Sequence, residues 1–410
     1  MKLIPSLFKQ TYFQIIVAFL FAIAMNHLNI GLGLATMISH LFVSGFKILA
    51  LPIVFLSIIY TITGINNTKD LKALNKKVIF YSLLTTVIAA IVALILYKVI
   101  NPAYSSASYN NLNINSINDH IHLQKVQFTY IDYFLSISPE NFFNIFLGNN
   151  IIGCIIIAFL ISYAINKLEP AKNVLLHNLF SSFFDTLLIV ARFILRFLPI
   201  AIFGFVRVFL DSLKNYSHAL DSIILFLLCV VIANLVQGVI VLPLFLKFKG
   251  ISPMKTFKAV LPALTLAFFS KSSSATLPTT LSNVQNNLKV SKKLSSFTLP
   301  MCTTINMNAC AAFIFICITF VSEQNGYHFS YLETGMWLIV AVIGAFGNAG
   351  VPMGCYFIAT SYLTSLRMPL ELMGVILPAY VILDMLETSL NVWSDICITQ
   401  VINKEYPMED

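Results

Sequence analysis

The sequence predicts an all-α membrane protein with eight spanning helices and two re-entrant helical hairpins. Three observations predict it. Of the 410 residues, 58% are hydrophobic and 10% charged, against about 25% charged in a soluble domain. The apolar residues fall in runs such as 81–99 and 223–246, which reach the roughly 18 to 20 residues that cross hydrocarbon. Two later apolar runs are broken at their centres by Ser, Gly and Pro. The mean hydropathy, +0.85, fits the same class.

The elements follow in order. Spanning helices are expected at about 11–32, 39–63, 77–100, 142–166, 176–209 and 221–247. Lys2 and Lys9 precede the first run as in a signal peptide, but no small-residue cleavage site follows, so this run is expected to stay as the first span. The stretch 101–140 is rich in Asn, Ser and Tyr and reads as a polar external loop. Asp185, Arg192 and Arg196 lie in one apolar run and are expected to pair or to snorkel. The broken segments are 256–281 and 334–363, followed by long apolar segments at 295–322 and 371–402.

Charge gives the orientation. Lys69, Lys72, Lys76 and Lys77 fill one loop, Lys247, Lys249, Lys255 and Lys258 another, and Lys289, Lys292 and Lys293 a third. Such loops stay cytoplasmic, which puts both termini inside an integral cytoplasmic (inner) membrane protein. The first broken segment then enters from the cytoplasm and the second from outside. The net charge of +8 is explained by these loops, so no nucleic-acid partner is expected. The seven cysteines lie in or beside apolar runs and show no metal spacing, so they read as buried small apolar residues without a disulfide framework.

The two broken segments carry the functional argument. Lipid offers the backbone no hydrogen-bond partner, so irregular backbone at that depth must line protein or a cavity. The first tip holds Ser270, Lys271, Ser272, Ser273, Ser274 and Thr276 before Pro278; the second holds Gly347, Asn348, Gly350, Val351, Pro352 and Gly354. Opposed tips aim free N–H groups and positive helix ends inward, which suits a carboxylate. Paired interruptions of this kind mark transporter binding sites.

Two further breaks are expected opposite the tips, at 303–310 and 384–395. Asp384, Glu387, Asn391 and Asp395 recur at helical spacings of three and four and share one face. A carboxylate at the centre of a span costs at least about 2.5 kcal/mol on insertion scales. A face with two Asp, one Glu and one Asn wants cations. An enzyme is not expected, with no catalytic residue assigned: the chain lacks Gly-x-Ser-x-Gly, Gly-x-Gly-Asp and His-Glu-x-x-His patterns.

These motifs together resemble the dicarboxylate/amino acid:cation symporter family, whose members are glutamate-transporter-like. The resemblance rests on the Ser-rich tip 271–278, on Asn306, Met307 and Asn308, on Ala349, Gly350, Val351 and Pro352, on Asp384 through to Asp395, and on Leu51, Pro52, Ile53 and Val54. It covers nearly the whole chain. It implies a single polytopic domain over 1–410, a homotrimer in lipid, and an inverted-repeat elevator. The scaffold would be about 1–76 and 142–220, and the transport part about 77–100 and 221–402. It implies substrate contacts from Lys271, Ser273, Cys310, Gly350, Val351, Asp384, Glu387, Thr388 and Asn391. It implies sodium sites from Thr304, Asn306, Met307, Asn391 and Asp395, with backbone near 345–348, and a further one from Thr85, Thr86 and Asn308. No cofactor is implied beyond the coupling cation, Na+ or H+.

Two departures shape the expected substrate. Asn308 stands where the family has Asp, which weakens the further cation site. Glu387 stands where carriers of acidic substrates have Arg. An Arg would clamp a side-chain carboxylate by two hydrogen bonds, whereas a Glu repels it. A symporter of a neutral or basic amino acid is therefore expected, with an acidic amino acid or dicarboxylate as the alternative if Glu387 is protonated or paired with Lys271. Readings of another class are a solute sensor without flux and a channel, which cannot accumulate its solute.

Overall fold

A computed structural model describes residues 11–64, 72–103, 151–213, 219–348, 353–366 and 368–407. No strand occurs among them. Most of the expected loop 101–140, the start of the span at 142, Gly350 and Val351 lie outside the described residues.

The first helices form a layered group. They are α1 (Thr11–His27), α2 (Leu32–Thr63), α3 (Lys72–Ile100), α4 (Ile151–Ile165), α5 (Pro170–Leu195) and α6 (Leu198–Leu213). The 32 residues of α2 extend about 48 Å, well beyond a hydrocarbon core of about 30 Å, so this helix tilts or bends. It carries Pro52 in its interior and packs against α4, α5 and α6. The expected span 176–209 is instead two helices. The Arg196 and Phe197 N–H groups bond to the carbonyls of Phe193 and Ile194, three residues back. Pro199 explains the division: it has no N–H, and its ring would clash with the carbonyl of Leu195 in a continuous helix.

Arg207 on α6 is 1% exposed. Its Nε donates to the Ile30 carbonyl at 3.1 Å, and its Nη1 donates to Asn26 at 3.1 Å and to Asp211 at 3.2 Å. One buried guanidinium therefore closes the α1–α2 turn from 177 residues away. Asp185 and Arg196 are exposed on or next to α5.

The second group begins with α7 (Ala219–Val236) and continues through a π-helical turn, Gln237–Val241, into α8 (Leu242–Phe248). The first hairpin is α9 (Pro253–Ser270) and α10 (Ser273–Asn286); the second is α13 (Tyr331–Gly347) and α14 (Gly354–Ser365). Between them lie α11 (Lys292–Ile305) and α12 (Asn308–Gln324), and α15 (Glu371–Glu405) closes the chain. Every residue of α12 from Asn308 to Ser322 is buried, and the helix packs on α3, α7, α13, α14 and α15.

Local chemistry sets the tips. Ser272 caps α10, its hydroxyl accepting the Ala275 N–H at 3.2 Å, a standard N-terminal cap. Lys271 ends α9 in the left-handed region, φ 52°. In the second hairpin, Ser330 and Glu333 form a reciprocal capping box, and Met353 enters α14 left-handed, φ 57°. The hairpin's arms meet at Gly344, where a Cβ would sit 2.9 Å from the Tyr362 hydroxyl.

Of the two further breaks, one exists. Asn306 and Met307 leave helical geometry, with φ/ψ of −101°/75° and −109°/62°. The stretch 384–395 is unbroken helix within α15. Its carboxylates do not disturb the backbone, and it contains neither Gly nor Pro; the proline of α15 is upstream, at 378.

Among the described residues, five stretches are long and apolar enough to cross a membrane: Leu74–Ile100, Pro170–Ala191, Asp221–Phe248, Lys292–Gln324 and Leu372–Glu405.

Candidate functional site

The unwound pair 306–307 faces the middle of α15, and the polar side chains of both meet there. Asn306 Nδ2 donates to Asp395 Oδ1 at 2.8 Å, and the Thr303 hydroxyl donates to Asp395 Oδ2 at 3.5 Å. Asn391 Oδ1 accepts the Ala309 N–H at 3.0 Å. That bond satisfies one of the free donors at the start of α12, which has no partner within its own helix. Asn391 Nδ2 lies 3.4 Å from the Met307 sulfur.

On the far side, α3 contributes two buried hydroxyls. The Thr85 hydroxyl lies 3.3 Å from both Asn306 Oδ1 and Asn308 Oδ1, and the Thr86 hydroxyl lies 2.7 Å from Asn308 Oδ1. Asn308 Nδ2 donates to Ser394 at 2.7 Å, which fixes its oxygen toward the two threonines. The oxygens of Asp395, Asn306 and Asn308 thus gather near the non-helical backbone at 306–307. This is the oxygen-only donor set that a hard cation takes.

The upper part of the same face holds the other two carboxylates. Asp384 and Glu387 are 6% and 1% exposed. The charge of Lys271, at the first tip, and the backbone of Met353, at the second tip, both act electrostatically on Asp384. The two hairpins therefore converge on one carboxylate. Tyr380 donates to Glu387 Oε2 at 3.1 Å. Asp384 Oδ2 and Glu387 Oε1 have no hydrogen-bond partner among the described residues. Buried acceptors are normally paired, which marks these two oxygens as positions for an incoming donor.

Of the expected site residues, Thr85, Thr86, Asn306, Met307, Asn308, Asn391 and Asp395 come together in one network. Ser273 is buried at the start of α10. Thr388 is buried but returns its hydroxyl to the Asp384 carbonyl at 2.7 Å, and Thr304 returns its own to the Met301 carbonyl at 2.8 Å. Cys310 departs from expectation. Its sulfur is joined to that of Cys355, which corrects the reading of all seven cysteines as unpaired apolar residues; the other five are free and buried. The pairing has no local sequence signal, because 45 residues separate the two.

Several partners escaped the sequence reading. Ser394 and Tyr380 lie on the acidic face, three residues after Asn391 and seven before Glu387, and that periodicity points to both. Gln237 is one of two amides, with Asn234, in an apolar run. It is buried at the π-helical turn, where its Nε2 donates to the Thr85 carbonyl at 3.2 Å; such turns often sit at functional sites.

A model of the sodium:dicarboxylate symporter family matches residues 7–405. The chain belongs to this family. Members of the sodium:dicarboxylate symporter family are transporters rather than enzymes, and a family member with these apolar helices is an integral membrane protein. Two relatives illustrate the similarity. Neutral amino acid transporter B(0) of Mus musculus is 28% identical over 249 residues, which is 60% of this chain and 45% of that relative. Neutral amino acid transporter A of Homo sapiens is 27% identical over 249 residues, 60% of this chain and 47% of the relative. The match thus spans a little under half the length of these family members.

Proposed function

We propose that this protein is a secondary active symporter that moves a neutral or basic amino acid across the membrane with sodium or protons. The observation that carries the reading is the pair of open, buried carboxylate oxygens on Asp384 and Glu387. An α-ammonium group would satisfy the first, and a further donor on a basic or hydroxylated side chain the second. The substrate carboxylate would meet Asn391, Ser273 and the second tip, with Lys271, Cys310 and Thr388 around it and the backbone of Gly350 and Val351 closing above. The cations would use Asn306, Met307, Thr304, Asn391 and Asp395, and the weaker set Thr85, Thr86 and Asn308.

In this reading eight spans and two hairpins are arranged as an inverted repeat. The transport part, about 77–100 and 221–402, slides as an elevator past a scaffold of about 1–76 and 142–220. Three copies assemble in the inner membrane with termini in the cytoplasm. The two relatives named as neutral amino acid transporters support the substrate class.

The test is uptake by purified protein in proteoliposomes, with a panel of amino acids and dicarboxylates under imposed sodium or proton gradients. Concentrative uptake of a neutral or basic amino acid is expected. Uptake of a dicarboxylate would transfer the counter-charge role to Lys271. Binding without flux would make the protein a sensor.

A further inference from the structure

Cys310, Cys355 and Glu387 come from three separate elements, α12, α14 and α15. One ligand atom of each lies within 4.8 Å of the other two, and all three residues are buried. The Cα atoms of the cysteines are 5.2 Å apart. Around the sulfurs stand amide donors: Asn348 Nδ2 is 3.0 Å from the Cys310 sulfur and 3.5 Å from that of Cys355, and Asn391 Nδ2 is 3.7 Å from the Cys310 sulfur. Glu387 Oε1 points to no donor among the described residues, while its other oxygen is held by Tyr380.

Two sulfurs, one open carboxylate oxygen and a ring of N–H donors are the parts of a thiophilic metal site. We propose that the Cys310–Cys355 pair, once reduced, binds a soft divalent cation of the zinc or cadmium class together with Glu387, tying α14 of the second hairpin to α12. A zinc ion with bonds of about 2.3 Å to sulfur needs the sulfurs roughly 3.7 Å apart in tetrahedral geometry. The Cα spacing allows this by side-chain rotation. Thiolates and imidazoles, rather than carbonyls, select such metals. The amide donors orient the sulfurs and offset their charge, the part that outer partners play in metal sites. Three protein ligands leave a fourth position open.

The chemistry balances with a dithiol reductant. It gives two electrons and two protons to the S–S bond, which opens to two thiols as the reductant closes to its own disulfide. The cation then displaces both thiol protons to solvent. This cation is distinct from the coupling cation, whose ligands are oxygens around Asn306 and Asp395.

The test uses the purified full-length protein and cadmium alone as the probe. Protein is reduced with a dithiol, freed of it, and titrated while the ultraviolet charge-transfer absorbance of cadmium–thiolate bonds is recorded. The expected result is a saturable band at about one cadmium per chain, absent before reduction, removed by a chelator, and lost in Cys310→Ala and Cys355→Ala. Glu387→Gln should weaken cadmium binding by more than the roughly tenfold that loss of even an outer partner costs. Cadmium should also shield Cys310 and Cys355 from alkylation, read by mass spectrometry on the unmutated protein, so the result does not depend on a variant folding. No band after reduction overturns the proposal, and so does a band that survives Cys355→Ala. Neither readout requires uptake, so failure here leaves the transport reading standing.

Discussion

Helix α15 carries carboxylates in two settings. At its end, Glu405 is met by the protein's own cations: Lys77 at 3.1 Å and Lys249 at 2.6 Å, with the Tyr81 hydroxyl at 2.5 Å. In its middle, Glu387 and Asp395 are met by neutral donors, Tyr380 and Asn306 with Thr303, while the charge of Lys271 acts on Asp384 from the first tip. The end is a finished ion-pair cluster that holds α3, α8 and α15 together. The middle is deeply buried, with two oxygens left open among the described residues. Open buried oxygens make sense where positive charge arrives and leaves with the cargo.

Four experiments break or sharpen this contrast. The largest effect is expected at Asp384. Asp384→Asn should abolish concentrative uptake, a loss of at least about 100-fold, since breaking a buried charge pair costs roughly 3–5 kcal/mol. Size-exclusion behaviour should stay normal. Preserved uptake with a folded protein would erase the distinction between the two settings. Next, Glu387→Arg should move preference toward acidic amino acids by about tenfold or more, as a bidentate partner replaces a repelling one. Competition between labelled serine and aspartate reads this directly.

At the finished end the effects should be smaller and structural. Glu405→Gln should keep uptake within about twofold of the parent, as expected of a substitution outside the binding machinery, while lowering the unfolding midpoint. That loss should shrink at high salt, because exposed pairs are screened. The smallest effect is a pH dependence. Hydrogen bonds to Glu405 and Tyr81 hold the Lys249 ammonium above its ordinary value of 10.5. A raised folded pKa contributes stability that is complete below the unfolded value and lost as pH rises through the folded one. Thermal unfolding of the parent should therefore fall more steeply above about pH 10.5 than that of Lys249→Met. Parallel curves would remove Lys249 from the cluster.

Much of this was legible in the chain, for physical reasons. Hydrocarbon forces long apolar runs, and broken backbone within them is conspicuous, so the hairpins and the 306–307 break could be placed by residue number. Helical spacing put Asp384, Glu387, Asn391 and Asp395 on one face before any coordinates. The same logic misled at 384–395: polar side chains marked a functional face there, and a broken backbone was inferred from them without a Gly or Pro to cause it. The division at Pro199 was missed because apolar character continues across it. Contacts that cross elements had no signal of their own. Thr86 against Asn308 and Cys310 against Cys355 depend on how α3, α12 and α14 pack, which no single segment encodes.

The buried Arg207 has a consequence for how the chain is made. The α1–α2 turn leaves the Ile30 carbonyl and the Asn26 side chain waiting for a partner that the ribosome supplies 177 and 181 residues later. Until α6 emerges, the first two helices are inserted but not locked. The N-terminal hairpin is therefore started first and completed late, and Arg207→Met should leave a protein that inserts normally yet is clipped by proteases near the α1–α2 turn.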